Sequence, residues 1–180
     1  MVAPGPHLKE FLASIPIFGG LDDRTLDRVV AMLDEQKYSS GAVVCREGEM
    51  GRAMYVVADG EVVVTRAGGD GGRVKMVRLG PGEFFGELAL IDPQPRSASV
   101  EVERDATLLA LTCRDLYQLY REDLNGYVMV IQNLCRELAR RLRRADERIC
   151  EMASLADEDD ADITQIRPSP FARKSRGARP

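Results

Sequence analysis

The spacing of apolar positions changes character twice along this chain. From 7 to 36 they recur at helical intervals. LKEFLASIPIF is interrupted by Pro16, and LDDRTLDRVVAMLDEQ follows a Gly-Gly turn with Leu21, Leu26, Val29, Val30 and Leu33 near one face. Asp22 and Asp23 open that second piece, where the helix dipole favours negative charge. From 37 to 112 the texture shortens to β-branched runs between glycine-rich turns: AVVCR, AMYVVA, EVVVTR, RVKMVRL, SASVEVE and TLLALT, punctuated by DG, AGGDGG and GPG. Such punctuation predicts about seven or eight short strands, and their regular spacing suggests an antiparallel, jelly-roll-like β-roll.

Helical spacing then returns. RDLYQLY (114–120) reads as a short helix. From 126 to 156, Val128, Ile131, Cys135, Leu138, Leu142, Ala145, Ile149, Met152 and Ala156 alternate steps of three and four residues, an unbroken a/d register. A helix of that length runs on the order of 45 Å, more than a small barrel can cover, so its stripe needs another partner. A parallel homodimer fits, with Arg141 at a g position able to meet Asp146 at an e position of a second copy. The alternative is one helix lying across its own domain. DEDDAD (157–162) and RPSPFARKSRGARP (167–180) follow, acidic and then basic, and both read as solvated and disordered. The expected organisation is a β-roll with N-terminal helices over 1–125, a long helix over 126–156 and a tail over 157–180. The fold class is mainly β with flanking helices.

Composition narrows the function. The apolar fraction is 44% and the net charge −4, enough for a core and little reason for the whole molecule to seek nucleic acid. One histidine, His7, and four scattered cysteines at 45, 113, 135 and 150 offer neither a metal set nor a disulfide framework; reduced thiols, mostly in cores, are expected. No signal peptide and no membrane span are visible, which points to the cytoplasm. Without an acid–base pair or a nucleophile with a partner, no enzyme is expected.

The chemistry concentrates in FGELALIDPQPRSASV, residues 85–100. A helical turn starting at Gly86 would present backbone N–H groups to an anion, and glycine lets that anion approach closely. Arg96, returned by D-P-Q-P, adds a permanent charge and a planar donor fork, and Ser97 a further hydroxyl. Glu87 would repel a bare phosphate, but a carboxylate accepts from a sugar hydroxyl. A ligand with phosphate and ribose side by side, a cyclic 3′,5′-nucleotide, would use both. On spacing alone, Glu87 could equally be an exposed helix residue paired with Arg96.

GPGEFFGELALIDPQPRSASV resembles the phosphate-binding cassette of the cyclic nucleotide-binding domain family. IPIFGGLDDRTLDRVVAML resembles its N-terminal helices, and GAVVCREGEMGRAMYVVADGEVVV its first hairpins, so the likeness covers roughly residues 10–150. It implies a β-roll flanked by helices that binds cyclic AMP or, second, cyclic GMP, with no metal. Gly86, Glu87, Leu88 and Ala89 would border phosphate and ribose, with Arg96 and Ser97 on the phosphate. Two departures follow. The DNA-reading helix-turn-helix that follows the long helix in some members is replaced here by DEDDAD and the basic tail, so direct DNA binding is not expected and output would pass to a protein effector. The paired hydroxyls that contact the base in such members are also missing, since Arg143, Arg144, Ala145 and Asp146 follow ARRL. The competing reading is a non-catalytic dimeric interaction module whose pocket is empty or takes a cyclic dinucleotide.

Overall fold

The computed structural model describes residues 6–69 and 71–156; the acidic run and the basic tail lie outside the described residues. Helix α1 (Pro6–Ser14) is followed by a 3-10 turn (Pro16–Phe18) and α2 (Asp23–Met32). Asp22 caps α2 by accepting from the Thr25 N–H at 2.8 Å, as a short carboxylate at a helix start does. The helical reading to residue 36 runs too far: Asp34–Tyr38 is strand β1, in register with residues 106–110. Nothing in DEQKY favours a strand, and its conformation comes from that distant partner.

The sheet has six strands: β1, β2 (Val43–Cys45), β3 (Ala53–Ala67), β4 (Arg73–Leu79), β5 (Phe84–Phe85) and β6 (Ser99–Thr112). Its spine runs β1-β6-β3-β4, β2 also pairs with β6 and β5 with β3, and every pairing is antiparallel. The expected hairpin at Asp59-Gly60 does not form. AMYVVA and EVVVTR are one continuous strand through Gly60, which takes φ +86° while the register with β6 slips on both sides. A side chain at residue 60 would run into the Asp105 carbonyl and Ala106, so the glycine lets two long strands bend past each other. SASVEVE and TLLALT fuse into β6 in the same way. Fewer, longer strands result.

Compact packing extends to Leu138, and residues from Ala139 onward form a second unit. Within the first, one core joins Leu12, Ile15, Phe18, Leu26 and Val29 to Met54, Val56 and Leu109, to α4 (Cys113–Glu122), and to Val130 at the start of α5 (Leu124–Ala156). A second core fills the sheet with Val57, Val62, Leu79, Phe85, Val100, Val102 and Leu108.

The start of α5 is tied down by two polar residues. Asp123 accepts from Thr25 Oγ1 at 2.6 Å, Arg28 Nη1 at 2.9 Å and the Gly126 N–H at 3.0 Å. The hydroxyl and amide bonds lead in holding its carboxyl below the usual range. Buried Asn133 donates to the carbonyls of Ile17 and Gly19 at 3.3 and 2.8 Å. The fully buried positions of α5 are Val130 and Leu134, beside the a/d register, of which Ile131 also packs against the core. Cys135, expected in a core, is exposed, as is Cys150. In the second unit the a/d residues Leu142, Ile149 and Met152 are all exposed.

Candidate functional site

The site begins where β5 leaves the sheet. Phe84 and Phe85 pair with Val56 and Tyr55, and the preceding turn is closed by Glu83, whose carboxylate accepts from the Gly80 N–H at 2.8 Å. Gly86 then turns the chain with φ +76°, a conformation open to glycine at little cost. Glu87 leads into helix α3 (Leu88–Ile91). After Asp92 the double-proline segment returns along the turn that precedes β3. Arg96 donates its N–H to the Glu49 carbonyl at 2.8 Å and accepts from the Gly48 N–H at 2.9 Å, while the Gly51 N–H reaches the Gln94 carbonyl at 3.3 Å. Both ends of the cassette are thus anchored to the same stretch, residues 48–56.

Arg96 is the centre of this arrangement. Its Nη1 donates to the Gly86 carbonyl at 3.2 Å and its Nη2 to the Ala53 carbonyl at 2.7 Å. Its Cζ lies 5.9 Å from the centroid of the Tyr55 ring, within cation–π reach. A Cβ on Gly86 would collide with Nη1, so this glycine answers both to backbone geometry and to the guanidinium beside it. Burial pushes the Tyr55 phenol and the Cys45 thiol up from their ordinary values, and the charge of Arg96 opposes both shifts.

The structure brings Gly86, Ala89 and Arg96 together: a Cβ on Gly51 would lie 3.0 Å from Ala89 Cβ and 3.1 Å from Arg96 Cζ. Glu87 is buried at 5% exposure; it is not the exposed helix residue that spacing alone allowed. Leu88 turns its side chain outward, 53% exposed, so only its backbone can serve a ligand of the cassette. The Ala89 N–H already donates to the Gly86 carbonyl at 3.2 Å, and an anion would compete with that bond. Ser97 is exposed, one residue beyond Arg96.

The sequence profile described as "Cyclic nucleotide-binding domain" matches residues 35–123. The chain is 38% identical over 131 residues to the cyclic AMP receptor protein of Thermus thermophilus, covering 73% of this chain and 59% of that one. The chain belongs to the cyclic nucleotide-binding domain family. It is also 38% identical over 110 residues to a cyclic nucleotide-gated potassium channel of Mesorhizobium japonicum, covering 61% of this chain and 29% of the channel. The crystal structure of the Thermus thermophilus catabolite activator protein superposes with a TM-score of 0.70 at 36% identity, over 77% of this chain and 63% of that one. The chain thus spans little more than half of the first relative and under a third of the channel.

Membership makes this a non-catalytic regulatory binding domain with a mixed α/β fold, a multi-stranded sheet, flanking helices and a long C-terminal helix. No helix among the described residues is long and apolar enough to cross a membrane. A fixed cation faces two positions, 51 and 86, where a side chain would fill the space around it, and a buried carboxylate stands next in sequence. A separate groove of about 330 Å³, lined by Leu90, Cys113, Leu116, Tyr117, Tyr120 and Tyr127, has no charged side chain to meet a phosphate. We therefore place the candidate site at Arg96. Tyr117 and Tyr120 are 60% and 46% exposed; their rings are tilted against each other, and Tyr120 meets Tyr127 edge to face.

Sequence reasoning missed Gly51, the Ala53 carbonyl and Tyr55. Their part depends on Arg96 arriving from more than forty residues away and has no local signature. The charged trio Arg46, Glu47 and Glu49 is a turn device, with Glu49 accepting from the Arg46 N–H at 2.9 Å and Glu47 from the Ala67 N–H at 3.0 Å.

Proposed function

We propose that this chain senses a cyclic mononucleotide, cyclic AMP first and cyclic GMP second, and passes the signal to a protein effector through its long helix. The observation that carries this reading is the fixation of Arg96 between the Gly86 and Ala53 carbonyls. With two of its five N–H donors engaged, the guanidinium keeps the others for an anion. Arg96, Ser97 and the backbone of Gly86, Leu88 and Ala89 bind the phosphodiester, and Glu87 accepts from the ribose hydroxyl. The relatives' names favour cyclic nucleotides as the ligand class.

The output runs through α5. Its exposed stripe of Leu142, Ile149 and Met152 suits a second copy of the chain, since a regular a/d seam of this kind is satisfied by another helix. Ligand shifts the balance between two arrangements of the helices that follow β6, by as much as it prefers one of them. The organisation expected from the sequence, with sensing over 1–125, a seam over 126–156 and a tail over 157–180, serves a cytoplasmic regulator of this type. The test is calorimetric titration with cyclic AMP, cyclic GMP and cyclic di-GMP while the mass in solution is followed. The reading expects a saturable cyclic mononucleotide site on a dimer. Silence with all three ligands would restore the interaction-module reading.

A further inference from the structure

Three alternate residues, 51, 53 and 55, meet the same guanidinium. Gly51 is buried, and its φ is not among the positive ones, so conformational freedom does not explain the glycine. Clearance does: a Cβ there would sit 3.1 Å from both Nε and Cζ of Arg96 and 3.0 Å from Ala89 Cβ. Ala53 supplies the carbonyl that takes Nη2. Tyr55 lies 5.9 Å under Cζ, and its ring is held by stacking on Phe85, with centroids 5.2 Å apart and planes at 21°. Phe85 is the cross-strand partner of Tyr55 and the residue before Gly86.

We infer that Gly51 and Tyr55 are positioning residues for Arg96, which set the direction of its donor fork and thereby the affinity of the site for a cyclic phosphodiester. The inference deepens the proposed function and rests on it. A guanidinium on a flexible stem loses rotamer freedom when it grips an anion, and a prior hold reduces that loss. Beside the Gly86 carbonyl, the hold comes from β3 and from the turn before it.

A merely structural Tyr55 would affect folding and leave the arginine indifferent to the ring. Two measurements separate these cases. The first needs no ligand: the Arg96 Nε–H resonance, assigned by its loss in Arg96→Lys, is displaced by the ring current of Tyr55. Tyr55→Leu abolishes that displacement, Tyr55→Phe restores it, and Gly51→Ala moves the signal by pressing on Nε. The second is calorimetry with cyclic AMP. Tyr55→Leu and Gly51→Ala each bind about tenfold more weakly, and Tyr55→Phe recovers the loss. If Tyr55→Leu does not fold, Gly51→Ala, which removes no core side chain, carries both measurements. An Arg96 resonance unmoved in Tyr55→Leu and Gly51→Ala, or cyclic AMP affinity equal to wild type in both, overturns the inference and leaves the function standing. A wild-type protein silent to cyclic nucleotides removes the function, while the resonance still decides whether Gly51 and Tyr55 position Arg96.

Discussion

Arg96 donates from Nη1 to the carbonyl of Gly86 at 3.2 Å, and the side chain that Gly86 lacks would occupy the place of that same Nη1. One residue thus provides an acceptor, a left-handed turn at φ +76° and room for the cation. Gly86→Ala loses the last two together. The backbone term alone costs about 1–2 kcal/mol, and displacement of the guanidinium adds a loss of ligand affinity. Urea denaturation and calorimetry on the same sample should show both effects.

Glu87 makes a sharper prediction because its proposed partner is a single hydroxyl. Glu87→Ala should weaken cyclic AMP about tenfold, the value of roughly one hydrogen bond to a charged group. It should leave 2′-deoxy cyclic AMP nearly unchanged. Equal losses for the two ligands would mean that the carboxylate acts on the fold and not on the sugar.

Asp123 holds Thr25, Arg28 and the first turn of α5 at once. Asp123→Ala removes a helix cap and a charge-assisted bond from one place, which should destabilise the first unit by about 1–3 kcal/mol. A urea midpoint shifted with unchanged slope would confirm it.

Much of this candidate site was legible because the chemistry proposed for it demands particular residue types. Gly86, Glu87, Arg96 and Ser97 stand out in one short stretch, and two of them, Gly86 and Arg96, meet in the fold. What the sequence hid is what distant strands decide. DEQKY becomes β1 only because residues 106–110 lie beside it. Asp59-Gly60 reads as a hairpin but continues as a strand, since Gly60 must pass Asp105 and Ala106. The seven-residue register on α5 drew attention to its outward stripe, whereas Val130 and Leu134 are buried against partners that the helix sequence alone does not reveal. Gly51 has no local signature, and only its approach to Arg96 gives the glycine a reason.

Glu103 links the sheet to pH. It accepts from Arg78 and from Lys75, the latter at 3.0 Å, and the Arg78 bond leads in drawing its carboxyl from 4.5 down to about 2. A depressed folded-state value means the unfolded chain takes up the proton first. Its contribution is present above pH 4.5 and is lost as pH falls towards about 2. The pair is exposed, so the effect is modest and weakens with salt. Glu103→Gln should flatten this part of the acid-unfolding curve and leave stability above pH 5 close to that of the parent.

The central claim, that Arg96 receives a cyclic phosphodiester, is tested most directly by titrating wild type and Arg96→Leu side by side with cyclic AMP, after circular dichroism has shown both to be folded. The variant should lose tens- to thousands-fold in affinity, about 2–5 kcal/mol, and the wild type should bind one nucleotide per chain. Equal affinity in the two proteins would contradict the claim.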